Sequence, residues 1–411
     1  MKKRTEIRDY ISFPHVSGND RFVGLRSTIS GPEIVFPIGY VVPESDSQLR
    51  GDARQLLELI SIFDHAQVHG EESDGSLVVS SRDSFAFRAY KFLIEDFLRT
   101  RALLNETELT HSNSPEGQID WNRTIALRQP AIVKGSVLYL DLISRKPTNL
   151  SNSVIRAAHN LALFRSFSAI GWLYPETNVP RPRAILVDSE MLNAVKRRMQ
   201  ETFNDRQFQI LSAILKVLSY SSSDETFEIQ THGTDKFEVM WEYLVDQFFG
   251  SVVSGKEEYF PRSRWNLNRR SIKASPLRPD TIMLHDNSIF VLDAKYYRYG
   301  ATLDSRHLPG TADVSKQIIY GEHVVSKQPI SSPKSVYNAF LLPGNLKGDD
   351  DKWCEFVGTS SVSWITNPKS HQTIAAVLID TNFLLRNFRR PSYARKRELA
   401  SLISDHFGKC G

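Results

Sequence analysis

Cysteine is nearly absent from this sequence of 411 residues, in which only Cys354 and Cys410 occur. Two cysteines cannot form a disulfide framework or a zinc site built from cysteine ligands, and such scarcity is typical of proteins from a reducing compartment. Apolar runs of the length needed to cross a bilayer are lacking as well. We therefore expect a cytoplasmic protein that has no membrane anchor.

A large excess of either charge is also lacking. The chain carries 51 Lys and Arg residues against 47 Asp and Glu residues, which gives a formal net charge of +4. Any affinity for nucleic acid must therefore come from local basic patches and not from the field of the whole protein.

The periodicity of apolar residues predicts an α/β chain of the α+β multidomain type, since 411 residues exceed what one ordinary core holds. Residues 1–115 mix strand and helix patterns and predict an N-terminal mixed α/β domain. Residues 116–225 predict a mainly helical middle domain. Residues 226–411 predict a domain with a mixed sheet flanked by helices, followed by a basic tail.

The segment GSVVSGKE (Gly250–Glu257) has the spacing of a phosphate-binding loop up to Gly255 and Lys256. Glu257 then stands where such a loop needs a Ser or Thr hydroxyl for Mg²⁺, and the segment follows a predicted helix instead of a strand. We therefore expect no nucleotide site here, only a helix that ends at a glycine and continues as a loop.

The stretch SPLRPDTIMLHDNSIFVLDAKYY (Ser275–Tyr297) places charged residues in and beside two apolar runs. The pattern predicts two strands joined at HDNS. Side chains alternate along a strand, so Asp293 and Lys295 would share a face, and a hairpin would bring Asp280 beside Asp293. Carboxylates that converge raise each other's pKa unless a cation compensates, and Mg²⁺ prefers such oxygen ligands. A surface ion pair on an edge hairpin is the alternative that this stretch alone leaves open.

Residues on either side of the hairpin favour the metal site. An upstream predicted helix, DKFEVMWEYLVDQFFG, carries Glu238 and Glu242 on one face, and Gln317 lies on a predicted helix downstream. Glutamate, aspartate, D-x-K and glutamine in this order resemble the core of the PD-(D/E)xK nucleases.

Longer phrases make the resemblance more specific. QIDWNRTI is followed in order by THGTDKFEVMWEYLVDQFFG, YFPRSRW, LRPDTIML, FVLDAKYYRYG, HLPGTADVSKQIIYGEH, YNAFLLPGN and AAVLIDTNFLL. Together these phrases resemble the successive blocks of the LlaJI family of restriction endonucleases, from Gln118 to Leu385.

The resemblance implies a Mg²⁺-dependent, site-specific deoxyribonuclease of a bacterial restriction system, with Mn²⁺ as a substitute metal and a PD-(D/E)xK core in the C-terminal domain. By the family's pattern, Asp280, Asp293 and Glu242 bind the metal, Lys295 is catalytic, and Gln317 supports the site. Glu238 is the competing assignment for the helical carboxylate.

The same resemblance implies partners. These are double-stranded DNA as the substrate and a separate GTP-hydrolysing motor, similar to McrB, that carries the DNA-recognition domain. Self-association on DNA is also expected, because an even double-strand cut requires two active sites. Two alternatives stay open: a stand-alone type II restriction endonuclease, and a catalytically silent subunit that assembles with the motor and stimulates it.

A basic run without any acidic residue, PRSRWNLNRRSIK (Pro261–Lys273), lies just upstream of the hairpin. We expect this run to follow the phosphate backbone of DNA, with a solvated basic loop as the alternative. Its cationic residues are Arg262, Arg264, Arg269, Arg270 and Lys273.

Overall fold

The computed structural model describes residues 7–13, 21–28, 31–68, 87–113, 117–150, 153–175, 181–182, 189–220, 231–251, 255–268, 270–331, 333–346 and 352–407. The chain divides into two compact units, Met1–Phe85 together with Ile229–Gly411, and Ala86–Glu228. The three predicted domain ranges follow the chain without interruption, whereas the first unit joins its two ends. Those ranges remain a prediction.

Strands and helices alternate along the chain, as the predicted mixed α/β class requires. The strands are β1 (Ile11–Ser12), β2 (Val23–Thr28), β3 (Gly31–Val35), β4 (Glu106–Ser112), β5 (Gln118–Ile119), β6 (Ala131–Val133), β7 (Ser136–Leu138), β8 (Ser144–Leu150), β9 (Thr231–Thr234), β10 (Arg264–Leu267), β11 (Arg270–Lys273), β12 (Thr281–His285), β13 (Ser288–Ala294), β14 (Ser335–Gly344), β15 (Cys354–Ser360) and β16 (Ile374–Asp380). The α-helices are α1 (Asp46–Val68), α2 (Phe87–Thr100), α3 (Trp121–Leu127), α4 (Val154–Ile170), α5 (Ser189–Gln200), α6 (Asp205–Tyr220), α7 (Phe237–Phe249), α8 (Tyr299–Thr302), α9 (Thr311–Ser326), α10 (Thr381–Asn387) and α11 (Tyr393–Ser404).

A five-stranded mixed sheet in the order β12-β13-β14-β16-β15 forms the centre of the first unit. β12 and β13 are antiparallel, so the predicted hairpin is confirmed, and Asp286 in its turn has a positive φ of 49°. β13, β14 and β16 run parallel, which explains why their side chains are buried almost throughout. The parallel strands therefore end together at one edge of the sheet.

Two helices cover the part of this sheet that carries the hairpin. α7 packs against β12 and β13, and the indole Nε1 of Trp241 donates a hydrogen bond of 3.1 Å to the carbonyl oxygen of Leu341. On α9, Tyr320 and Val324 pack against apolar side chains of β12 and β13, among them Val291. Burial of these apolar surfaces is the main force that fixes both helices on the sheet.

The N-terminal strands belong to the same unit. They form a four-stranded sheet in the order β1-β3-β2-β9, so a strand from residues 231–234 completes a sheet begun near residue 11. α1 is attached to α10 by Arg386, whose Nε and Nη2 donate hydrogen bonds of 2.8 and 2.6 Å to the buried carboxylate of Asp52. A long-range pairing of this kind explains why the two chain ends form one unit.

The second unit contains α2, α4, α5 and α6, which pack on one another, together with short strands between residues 106 and 150. β4, β8 and β5 form a three-stranded sheet, and β6 and β7 form a separate hairpin. In the described part of the chain, no helix has both the length and the apolar character that a membrane crossing demands.

Candidate active site

The two aspartates of the hairpin lie beside each other at the edge where the parallel strands end. Thr281 pairs with Leu292, which places Asp280 next to the end of β13, and Oδ2 of Asp280 accepts a hydrogen bond of 2.8 Å from the backbone N–H of Ala294. Asp293 is 2% exposed. The strand register thus brings both predicted carboxylates to one place.

Lys295 follows β13 and turns back toward Asp293, as strand alternation predicts. Its Nζ lies 2.6 Å from Oδ2 of Asp293. Burial alone would lower the pKa of Lys295, but the carboxylates of Asp293, Asp280 and Asp313 outweigh it and raise that pKa above its ordinary value. Lys295 is therefore a fixed positive charge within this cluster.

The other carboxylate oxygen of Asp293 is in a different situation. Oδ1 is buried, and among the described residues it has no hydrogen-bond partner. A buried acceptor left unpaired costs about 1–3 kcal/mol. An oxygen in this state is available to a ligand that brings its own positive charge or donor.

Glu242 joins the cluster from α7. Burial, and after it the negative charge of Asp293, raise the pKa of Glu242 above its ordinary value, while Lys295 and Lys316 act in the opposite direction. The charge of Glu238 also raises the pKa of Glu242, as expected for two acids one helical turn apart. Both glutamates are half-buried on this helix.

The pKa of Asp280 reports the combined effect of the acids. Burial raises it first, then the charges of Asp293 and Glu242, and together they hold the pKa of Asp280 well above its ordinary value. The N–H of Ala294 and the charge of Lys295 oppose this shift without cancelling it. The cluster thus has more negative charge than its own lysine neutralises.

The sequence did not reveal two members of the cluster, Asp313 and Tyr297. Oδ1 of Asp313, in the first turn of α9, lies 3.6 Å from Nζ of Lys295, and Oδ2 accepts a hydrogen bond of 3.0 Å from the hydroxyl of Tyr297. Tyr297 continues the alternation of Asp293 and Lys295, which is the one sequence signal that points to it. Asp313 is typical of any first helical turn, so its position gave no such signal.

Gln317 lies on α9 and faces β13. Its Nε2 donates a hydrogen bond of 2.8 Å to the backbone carbonyl of Val291, and within the described residues its buried Oε1 has no partner. These contacts attach α9 to the strand that carries Asp293. A direct part for Gln317 in the chemistry remains a prediction.

The described members of the predicted DNA-contacting set lie on or just before the β10–β11 hairpin, and the carboxylates lie on other elements. Arg264, Arg270 and Lys273 belong to these strands, and Arg262 precedes them. Arg269 lies outside the described residues.

The carboxylates of the cluster are the kind of ligand that Mg²⁺ prefers, but they do not form a complete metal cage. Across the described ranges, no three or more His, Cys, Asp or Glu side chains are gathered closely enough to hold a metal ion by themselves. Mg²⁺ does not require such a cage, because it keeps several waters and commonly binds one or two carboxylates together with substrate phosphate. The unpaired Oδ1 of Asp293 and the excess negative charge around Asp280 suit that mode of binding.

These observations define a mixed α/β protein with a buried cluster of carboxylates and a lysine at one sheet edge. The chain belongs to the LlaJI restriction endonuclease family, whose sequence model matches residues 22–382. The family membership expected from the sequence phrases is thereby confirmed.

The chain was also compared with curated proteins and with solved structures. No curated protein matches the chain. Among solved structures, the chain is similar to a refined half-complex from the tetradecameric assembly of Thermococcus gammatolerans McrB AAA+ hexamers with bound McrC, at 15% sequence identity and a TM-score of 0.38, with 92% of this chain and 83% of that chain covered.

Proposed function

We propose that this chain is a Mg²⁺-dependent DNA endonuclease that hydrolyses phosphodiester bonds at a site of the PD-(D/E)xK type. The observation that carries the proposal is the state of Asp293, a buried carboxylate with one oxygen on Lys295 and the other without a partner among the described residues. Membership of a restriction endonuclease family supports the same conclusion.

The metal would be held by Asp280 and Asp293. Glu242 would be the third ligand, since its carboxylate is near enough for its charge to act on Asp280 and for the charge of Asp293 to act on it. Mg²⁺, or Mn²⁺ in its place, would lower the pKa of bound water and stabilise the negative charge of a phosphate undergoing attack. Glu242 is favoured over Glu238 because its charge acts on Asp280 as well.

Lys295 would orient or deprotonate the attacking water and neutralise charge that develops on the phosphate. Its Nζ, 2.6 Å from Oδ2 of Asp293, is close enough to the proposed metal-binding carboxylate for either role. Asp313, held in turn by the hydroxyl of Tyr297, limits the positions that Nζ can occupy. Gln317 would keep α9 against β13 through the carbonyl of Val291.

The proposed physiological arrangement is a cleavage subunit that works with a GTP-hydrolysing, McrB-like motor carrying DNA recognition, and that self-associates on DNA for a double-strand cut. Support for the motor comes from the family resemblance. A stand-alone type II enzyme and a catalytically silent, motor-stimulating subunit are the alternatives that an assay must separate.

A cleavage assay on unmodified and methylated DNA tests the proposal. The full chain would be incubated alone and with the protein encoded next to it, with and without GTP, in Mg²⁺ or in EDTA. Cleavage only with Mg²⁺, GTP and the second protein is expected. Cleavage by the chain alone without nucleotide identifies a stand-alone enzyme, and stimulated GTP hydrolysis without any cut identifies the silent subunit.

Lys295→Ala is the matching variant, and Lys334→Ala is its control because Lys334 is an exposed lysine of the same unit. We expect the first substitution to abolish cleavage and the second to leave it unchanged. Cognate DNA cut at the wild-type rate by the Lys295 variant contradicts the proposed mechanism.

A further inference from the structure

The β10–β11 hairpin is a two-stranded ribbon whose strand residues are all exposed. Its register pairs Arg264 with Lys273, Trp265 with Ile272, and Leu267 with Arg270. Because opposite residues of an antiparallel pair share a face, Trp265 and Ile272 form one apolar side, and Trp265 is 65% exposed. A large aromatic side chain that is this exposed on a two-stranded ribbon suits contact with a partner surface.

The charges of the ribbon identify the partner as a polyanion. Arg264 and Lys273 are directly opposite each other, and like charges in that position destabilise a strand pair. No acidic residue occurs between Glu258 and Asp280. At the ribbon base lies a groove of about 540 Å³ in which cationic side chains outnumber the acids Glu257 and Glu258. Its cations are Arg262, Arg264, Lys273 and Lys327.

Two backbone hydrogen bonds between the segments that flank the ribbon close its base, and the second flank continues along the chain to Asp280. The N–H of Ala274 donates to the carbonyl of Ser263 at 3.0 Å, and the N–H of Leu277 donates to that of Pro261 at 2.9 Å. From Lys273 the chain reaches Asp280 in seven residues, a distance of at most about 25 Å. That span is shorter than one turn of a DNA duplex, which is about 34 Å.

We propose that the β10–β11 ribbon enters the major groove of double-stranded DNA within one helical turn of the phosphate to be cut. The major groove, about 12 Å wide, admits a two-stranded ribbon, whereas the minor groove of about 6 Å does not. Trp265, on one face of the ribbon, packs its apolar ring into the groove, and Arg264 and Lys273, on the opposite face, extend outward to phosphates at the groove edge. The inference rests on the proposed function, because the chain path to Asp280 is the reason for choosing DNA over an acidic protein.

A binding experiment in EDTA tests the ribbon without cleavage. The full-length chain is titrated into a fluorescently labelled duplex of about 30 base pairs, at several salt concentrations. We expect Trp265→Ala to weaken binding about tenfold. We expect Lys273→Ala to reduce the slope of log affinity against log salt by about one. Quenching of tryptophan fluorescence by duplex DNA should also decrease in the Trp265 variant.

Matched control residues lie at the opposite end of the strands of the five-stranded sheet, away from Asp293. β13 and β14 are parallel and paired from Ser288↔Ser335 to Ala294↔Leu341, so Lys334 lies at the end away from Asp293. Trp364, 66% exposed, follows β15 at that same end, where Ser360 pairs with Ile374. Trp364→Ala and Lys334→Ala should bind duplex DNA as the wild-type chain does.

Each outcome has one meaning. Ribbon variants that bind duplex DNA as well as the controls do overturn the inference, and so does a wild-type chain that binds no duplex. Loss of binding to a protein partner, with DNA affinity unchanged, assigns the ribbon to an acidic protein surface and also overturns it. A chain that binds DNA through the ribbon yet cuts none in any cleavage condition refutes the proposed function and leaves groove binding intact.

Discussion

Two buried carboxylates, Asp96 in the second unit and Asp293 in the first, have contrasting surroundings. Their exposed fractions are 4% and 2%. Asp96 accepts hydrogen bonds of 2.9 Å from Nε and Nη2 of Arg206 and one of 2.9 Å from Arg99. Asp293 has one lysine on one oxygen, and within the described residues the other oxygen has no partner.

The pKa directions express the same contrast. Burial opposes ionisation of Asp96, but the hydrogen bonds from Arg206 and Arg99 prevail and lower its pKa. Around Asp293 the neighbouring acids are undercompensated, and the pKa of Asp280 is well above its ordinary value. Asp52 resembles Asp96, since Arg386 binds both of its oxygens. In Asp96 and Asp52, arginine donors thus bind both carboxylate oxygens, whereas in Asp293 one oxygen has no partner among the described residues.

The largest expected effect is the loss of DNA cleavage, without a loss of stability, when Asp293 is replaced. Asp293→Asn should reduce DNA cleavage by at least about a thousandfold, because it removes a metal-binding charge. The same change removes one partner of Lys295, but Asp280 and Asp313 still act on that lysine and the repulsion among the acids decreases, so the midpoint of urea unfolding should stay close to that of the wild type. Asp286→Asn, an exposed aspartate in the turn of the same hairpin, is the control. Cleavage retained by the Asp293 variant would place the catalytic site elsewhere.

Asp96→Asn should give the reverse result. Removing one partner of a buried ion pair costs about 3–5 kcal/mol, and the half-exposed Arg206 can regain solvent, so we expect a loss near 3 kcal/mol in the free energy of unfolding. Urea denaturation measures it, with Asp141→Asn, an exposed aspartate of the same unit, as the control. An unchanged midpoint would mean that the arginines contribute as little as a surface pair does.

Acid should weaken the second unit through His159, which lies close enough to Asp96 and Arg206 to respond to their charges. Burial lowers the pKa of His159 to about 4, and its Nδ1 accepts a hydrogen bond of 2.9 Å from the N–H of Leu104. The unfolded chain, with an ordinary pKa near 6.5, therefore binds the proton first as pH falls. Stability is complete above pH 6.5 and decreases toward pH 4.

Between pH 8 and pH 5 this linkage amounts to about 2 kcal/mol. The measurement is the free energy of urea unfolding across that range for the wild type and for His159→Leu. The variant should lose this part of the pH dependence even though its stability at pH 8 is lower. Identical slopes for the two proteins would show that His159 is not the group that titrates.

Local patterns in the sequence predicted the hairpin and its charged residues well. Strict alternation placed Asp293 and Lys295 on one face, and the Asn-containing turn located the reversal; both depend only on neighbours along the chain. Family phrases predicted the membership that the sequence model of the family confirms over residues 22–382. The roles of the individual side chains are still predictions.

Local sequence patterns could not predict which strands pair across long stretches of the chain. β9 completes a sheet with β2 across about two hundred residues of chain, and nothing in the four residues Thr231–Thr234 specifies that partner. β8, with the sequence SRKPTNL, has no apolar alternation, yet it pairs with β4 along its whole length. Asp313 reaches Lys295 only after α9 has packed on the sheet. Contacts that depend on tertiary packing leave no periodic signal.

The smallest expected effect concerns Asp313, which shares Lys295 with Asp293. Asp313→Asn keeps an acceptor for the hydroxyl of Tyr297 but removes the charge that lies 3.6 Å from Nζ of Lys295. We expect kcat for DNA cleavage to fall about tenfold with KM for DNA unchanged, because the lysine loses its position and not its charge. Tyr297→Phe should lower kcat about fivefold, the equivalent of one hydrogen bond of about 1 kcal/mol. Asp304→Asn, in the turn before α9, is the control, because asparagine can still accept the hydrogen bond from the backbone N–H of Arg306. A raised KM at constant kcat would instead place Asp313 in the DNA-binding surface, and Asp293 would then be the sole carboxylate that orients the lysine.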